Sequence, residues 1–222
     1  MNEIKIKRQY DELANIYDLR WRNYIINTLT FLHNWQQIEP QASILDVACG
    51  TGEFERLLLE KNPKQEIIGV DISENMLNVA RKKYQAYSNV KFQQASVHSL
   101  PFNSHSFDVV VCANSFHFFD KPQVALGEMK RVLKPNGKVI ILDWNKDYFV
   151  CRICDWFLQI FDPAYQQCYT QAELHKLLVS AQFEVHSATK FRLGIIWGMM
   201  AVTAFFRSQE SRFSRNSPYI IY

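Results

Sequence analysis

Asp46, Gly50 and Gly52 close the apolar run that begins Ile44-Leu45, and Asp71 ends a second run, Ile67-Ile68-Gly69-Val70. Two strand-turn-helix units, each with an acid after its strand, make the nucleoside-binding half of a doubly wound sheet. Glycines at 50 and 52 let the backbone turn sharply and approach a ligand, because no Cβ intervenes. Asp71 lies 25 residues beyond Asp46, where a carboxylate can accept hydrogen bonds from both ribose hydroxyls. The plainer alternatives are a helix N-terminal acid favoured by the dipole and an ordinary strand-helix turn. Asp46 discriminates between ligands. A dinucleotide would lay its pyrophosphate over this turn, where a carboxylate repels it. A cationic aminoacyl and sulfonium tail is welcome there. The G-x-G-x-x-G spacing would also need glycine at Ala48 and Glu53, or at Glu55, and has none.

The elements that must position these residues follow from periodicity. Tyr10, Leu13, Ile16, Tyr17, Trp21, Tyr24, Ile25 and Leu29 recur at helical spacing, so residues 9–36 read as one or two helices. Residues 53–61 read as a helix broken by Asn62-Pro63. Ser73 is an N-cap for a helix over 74–84. Val90 to Gln94 is a third strand, and Phe107 to Cys112 a near-continuous β run suited to the sheet centre. Residues 124–133 form a helix that Pro135-Asn136-Gly137 stops, starting a strand over 138–142. This alternation calls for a parallel sheet covered on both faces, with ligands at the carboxyl ends of strands one, two and four. Beyond it, residues 147–161 are apolar and aromatic, and Thr170 caps a helix. Strands over 183–191 and 195–206 join at Gly194 as an antiparallel hairpin.

Five pieces in order resemble the class I S-adenosylmethionine (SAM) dependent methyltransferases of the small-molecule type, the group that includes the quinone-biosynthesis C-methyltransferases. They are Asp46-Val47-Ala48-Cys49-Gly50-Thr51-Gly52; Val70-Asp71-Ile72-Ser73 with Met76-Leu77; Leu100-Pro101-Phe102; Ser106-Phe107-Asp108-Val109-Val110; and Arg131 to Gly137. The resemblance covers roughly residues 9–206. It implies an α/β fold, a Rossmann-like seven-stranded mostly parallel sheet with helices on both faces and an antiparallel C-terminal hairpin. It implies a helical cap over 1–40, a SAM-binding domain over 41–206 with an acceptor-site insertion at 147–169, and a flexible tail over 207–222. The implied cofactor is SAM, held by Asp46, Ala48, Gly50, Gly52, Asp71, Ile72, Met76, Ser96, Val97 and Ala113. Two departures matter. The family usually has a third glycine where this chain has Ala48, and alanine, being small, should fit if φ there is not positive. After strand three the family commonly shows Gly-Asp-Ala, the aspartate contacting the adenine amino group. This chain has Ala95-Ser96-Val97, whose serine offers an uncharged oxygen.

SAM is already activated, so the enzyme need only align the reactants, exclude water and, for some acceptors, remove a proton. His117 after strand four is the candidate base, with a packed histidine as the alternative. Asp143 reads as a cap or a solvated strand end. Tyr10, Tyr17 and Trp21, with Tyr24, can form an aromatic lid, and Trp156 with its aromatic neighbours an apolar pocket; helix-packing core is the other reading of both sets. So much aromatic surface points to a small, largely apolar acceptor such as a phenol, a quinol or a natural-product heteroatom. The alternatives are a non-catalytic SAM-binding partner or sensor, and methylation of a protein side chain. Cys151-x-x-Cys154 with Cys168 invites a metal or arsenite reading, but one CxxC pair makes structural zinc weak, and no metal is expected.

Composition bounds the rest. A chain of 222 residues, 48% apolar and 21% charged, suits one α/β core. A net charge of +3 is too mild to argue for nucleic acid. Amino-group methylation of bases is also disfavoured, because Ala113-Asn114-Ser115-Phe116 lacks the Pro-Pro-aromatic run of that chemistry. Five cysteines, an odd number, suit reduced thiols and a cytoplasmic location. No signal peptide is expected from the charged residues 1–10. The most apolar run, Leu193 to Phe206, is about 14 residues, short of the roughly 18 that would span a bilayer.

Overall fold

A computed structural model describes residues 2–162, 164–194 and 197–206. Seven strands form one sheet in the order β3-β2-β1-β4-β5-β7-β6. The strands are β1 (Ile44–Val47), β2 (Ile67–Asp71), β3 (Val90–Gln94), β4 (Phe107–Ala113), β5 (Leu133–Trp144), β6 (Phe183–Leu193) and β7 (Trp197–Phe206). The first five are parallel, and β7 runs antiparallel to both β5 and β6. The expected mostly parallel sheet with a terminal hairpin is therefore the observed one. The chain direction across the sheet reverses between β1 and β4, which places the ligand crevice at their carboxyl ends.

Alternation along each strand sends side chains to two apolar cores. Leu45, Val47, Val110 and Cys112 pack beneath α6 (Pro122–Val132) and α8 (Gln171–Ser180). Ile44, Ile67, Val109 and Val111 pack beneath α3 (Arg22–Trp35) and α4 (Glu53–Lys61). Fully buried residues such as Ile44 and Leu45 contribute about 1.5–3 kcal/mol each. Capping follows the sequence. Ser73 accepts from the Met76 amide to start α5 (Glu74–Lys83), and Thr170 with Glu173 forms a reciprocal capping box on α8.

Three local expectations are corrected. The N-terminal region holds three helices, α1 (Asn2–Leu13), α2 (Tyr17–Arg20) and α3, and begins seven residues earlier than the periodicity suggested. Ile4 and Ile6 alternate with Lys5 and Lys7, which masks the helix, and α1 gains its order by docking on α5. Pro135-Asn136-Gly137 does not separate helix from strand. β5 already begins at Leu133, which pairs with Phe107, and the tripeptide is an irregular excursion before Lys138 pairs with Val109. The aromatic segment after β5 forms α7 (Phe149–Phe161), whose Phe149, Ile153, Trp156, Phe157, Ile160 and Phe161 face outward. The tail expected over 207–222 lies outside the described residues. Among the described residues, no helix is long and apolar enough to cross a membrane.

Candidate active site

A cavity partly open to solvent, about 1050 Å³ with that open space included, lies at the carboxyl ends of β1, β2 and β4. Its floor is the turn after β1. Ala48, Gly50 and Gly52 all take left-handed backbone, with φ of 57°, 58° and 81°. The condition set for Ala48 is thus not met: a residue with a Cβ sits in the region glycine prefers, a strained position beside the cavity. Gly52 is required for a different reason. A Cβ there would lie 2.8 Å from the Tyr84 ring. It shapes the turn from behind and does not line the cavity.

Asp71 locks this turn from the neighbouring strand. Its Oδ2 accepts the Gly50 amide at 2.9 Å and its Oδ1 the Ser73 amide at 2.8 Å. The carboxylate retains acceptor capacity. Burial raises the Asp71 carboxyl above its usual range, against the pull of those amides. Asp46 is 3% exposed and lines the cavity, and no described residue donates a hydrogen bond to it. Burial pushes its carboxyl well up, and the nearby Glu55 and Asp71 push it further. Glu55, in the first turn of α4, was not singled out in the sequence. It is fully buried, and neither carboxylate oxygen finds a donor on another described residue. Burial pushes its carboxyl up to about 8. Asp46 and Asp71 thus line the cavity, with Glu55 buried behind them and close enough to raise the Asp46 carboxyl.

The walls are apolar. Ile72, Met76, Val97 and Ala113 line the cavity, and Tyr10 and Tyr17 close it from the N-terminal helices. The Tyr10 ring meets Tyr17 edge-on at 5.9 Å and Phe118 at 5.6 Å. Burial raises both tyrosine hydroxyls well above the ordinary value. Asn114, also left-handed at φ 58°, accepts from the Tyr24 hydroxyl at 2.9 Å and donates to Thr28 at 2.9 Å.

Other expected residues stand apart from the cavity. Trp21 packs edge-on against Tyr24. Trp156 is 65% exposed on the outer face of α7. Ser96 gives its hydroxyl proton to Glu3. His117 is 3% exposed and does not line the cavity; its ring lies 4.1 Å from that of Phe118, which does. Its Nδ1 is 2.6 Å from Asp143 Oδ1, and its amide donates to Asp143 Oδ2 at 2.8 Å. The Trp144 amide gives Asp143 Oδ1 a further donor at 2.7 Å. Asp143 is thus a buried partner of His117, not a solvated strand end. With Asp143 as acceptor, Nδ1 carries the proton and Nε2 the lone pair. The ring stacks on Trp144 at 4.4 Å and 9°. The thiol of Cys151 exchanges hydrogen bonds with the Gly198 backbone, and the described residues hold no cluster suited to a metal.

Known proteins are similar to this chain in sequence and in fold. The family described as "Methyltransferase domain" matches residues 45–141. A demethylmenaquinone methyltransferase of Thermotoga maritima is 32% identical over 166 residues, covering 72% of this chain and 68% of the relative. One from Thermus thermophilus is 35% identical over 145 residues, covering 63% of each chain. Among solved structures, a SAM-dependent methyltransferase of Thermotoga maritima superposes with a TM-score of 0.72 at 22% identity, over 89% of this chain and 98% of its own. A SAM-dependent methyltransferase of Aquifex aeolicus gives 0.68 at 22%, over 88% and 98%. At that identity the structural likeness speaks for the fold, and the sequence relatives carry the family. The chain belongs to the class I SAM-dependent methyltransferases, related to the quinone-biosynthesis enzymes, and SAM is its cofactor.

Proposed function

We propose that this enzyme methylates a small aromatic acceptor of the phenol or quinol class, with His117 as the base. The observation that carries the reading is one cavity with an acidic floor and an aromatic rim, backed by the His117–Asp143 pair. The names of the sequence relatives, demethylmenaquinone methyltransferases, support the acceptor class.

The cavity residues fit the cofactor on a feature of their own. Asp46 lines the cavity and no described residue donates a hydrogen bond to it, so a cationic ligand can pair with its carboxylate. Bound there, SAM supplies a methyl group already activated on a sulfonium. Asp71 uses its remaining acceptor capacity for the ribose hydroxyls. Ile72, Met76 and Val97 flank the base. Gly50 keeps the floor open, because a Cβ there meets nothing within 4 Å and would project into unfilled space. Tyr10, Tyr17 and Phe118 exclude water, which strengthens every charge interaction inside. Asp143 holds the His117 ring so that Nε2 is free to take an acidic proton from the acceptor hydroxyl. That ring packs 4.1 Å from Phe118, which lines the cavity, so the acceptor must reach Nε2 past the Phe118 side of the wall.

Labelled SAM incubated with the protein and a quinol-containing lipid extract tests this reading. Label in an organic-extractable aromatic product is expected. Replacing His117 by alanine should lower kcat by about 10²–10⁴, less for acceptors already ionised. Label only on protein would favour side-chain methylation. Tight SAM binding without any labelled product would favour a sensor.

A further inference from the structure

The first helix brings to the cavity an acid that lies outside the glycine-turn motifs. Glu3 stands in the first turn of α1 and lines the cavity together with Ile6 and Tyr10. Positions 3, 6 and 10 fall on one helical face, so α1 turns a single stripe toward the interior. Ile72, Met76 and Val97 line the same cavity and give it apolar walls, and His98 stands beside the acid. Glu3 is held in place. Its Oε1 accepts the Ser96 hydroxyl proton and lies 2.9 Å from His98 Nδ1. Ser96 also accepts the His98 amide at 3.1 Å. Among the described residues, no hydrogen bond engages Oε2 of Glu3.

The other end of α1 is fastened as well. Asp11 accepts from the Ser73 hydroxyl at 2.6 Å and the Asn75 amide at 3.3 Å, and Asn75 donates back to the Asp11 carbonyl at 3.1 Å. A helix pinned at both ends across a cavity presents Glu3 at a fixed position on the rim. Ser96, in the loop after β3, gives its proton to Glu3, accepts the His98 amide and stands outside the cavity lining. Glu3 is the group there with acceptor capacity to spare.

A carboxylate accepts hydrogen bonds and donates none. Beside apolar walls it suits a heteroaromatic ring carrying an exocyclic amino group. A ring with a carbonyl at that position would set lone pair against lone pair. We propose that Glu3 reads the 6-amino group of the cofactor's adenine, and that α1 thereby sets base selectivity from outside the sheet. The proposal rests on the reading of this cavity as the SAM site.

Calorimetric titration with S-adenosylhomocysteine and S-inosylhomocysteine, its 6-oxo counterpart, tests it without catalysis. The wild-type protein should prefer the adenosyl ligand by at least about tenfold, as expected for one charge-assisted hydrogen bond to a partly exposed carboxylate. Glu3→Gln should cut that preference by at least about tenfold, since its amide can donate to the 6-oxo group. Glu3→Ala should also reduce the preference, mainly by weakening the adenosyl ligand. No base preference in the wild type, or equal weakening of both ligands in both variants, overturns the proposal and makes Glu3 a staple for α1. A wild-type protein that binds neither ligand overturns instead the assignment of the cavity to SAM.

Discussion

Glu55→Gln should stabilise the protein, and more so as the pH rises. The wild-type carboxyl is fully buried, with Oε1 against Gly69, where an added Cβ would come within 2.8 Å of it. Burial is the main cause of its raised pKa, and Lys83 only partly opposes it. A carboxyl raised in the folded state favours the fold while neutral. That contribution is complete below the unfolded value of 4.5 and is lost as the pH climbs through about 8. At about 1.36 kcal/mol per pH unit, the gap sets a ceiling of about 5 kcal/mol on the loss. Glutamine has the same shape and never ionises. It also removes the charge that raises the Asp46 carboxyl, so Asp46 ionises more easily in the variant. The advantage of the variant should therefore be small near pH 5 and reach at least about 2 kcal/mol near pH 9. For a chain of 222 residues that is about 4–8 °C in Tm. Thermal and urea unfolding of both proteins across this range measure it. Parallel pH profiles would refute the reasoning, because Glu55 would then have the same proton affinity folded and unfolded.

The other two predictions concern the same turn. Asp71→Asn keeps the side-chain shape but loses the charge and one acceptor, and should weaken SAM binding by about 1.5–3 kcal/mol; unchanged affinity in calorimetric titration of the folded variant would remove Asp71 from the cofactor site. Ala48→Gly relieves a left-handed conformation that costs an L-residue about 1–2 kcal/mol and adds about 0.4–1 kcal/mol of unfolded-chain entropy, so a net gain of about 0.5–1 kcal/mol is expected. A lower urea midpoint for that variant would mean that the alanine methyl makes contacts worth more than the strain.

What could be read from the sequence was local, and what could not was set by partners far along the chain. The floor of the site was legible because strand, turn and acid are contiguous: Asp46, Gly50 and Asp71 needed only the register of two adjacent strands. The sign of φ at Ala48 was not legible, since residue type alone argued for the opposite sign. Pro135-Asn136-Gly137 carries strong turn chemistry, yet pairing of Leu133 with Phe107 overrides it as a strand boundary. Trp156 misled in the other direction. Its aromatic stripe has helical spacing, but the period says only that one face is apolar, not that the face is covered. His117 and Asp143 each drew notice, and only the fold brings them together across 26 residues. Glu3 carried no signal at all, one acid in a charged leading segment and 93 residues from its serine partner. Yet the gap it fills was visible: Ser96 stands where the family's charged acceptor is expected. A missing charge in a motif thus locates a search in space, and the residue to look for is the one whose own element folds back over that motif.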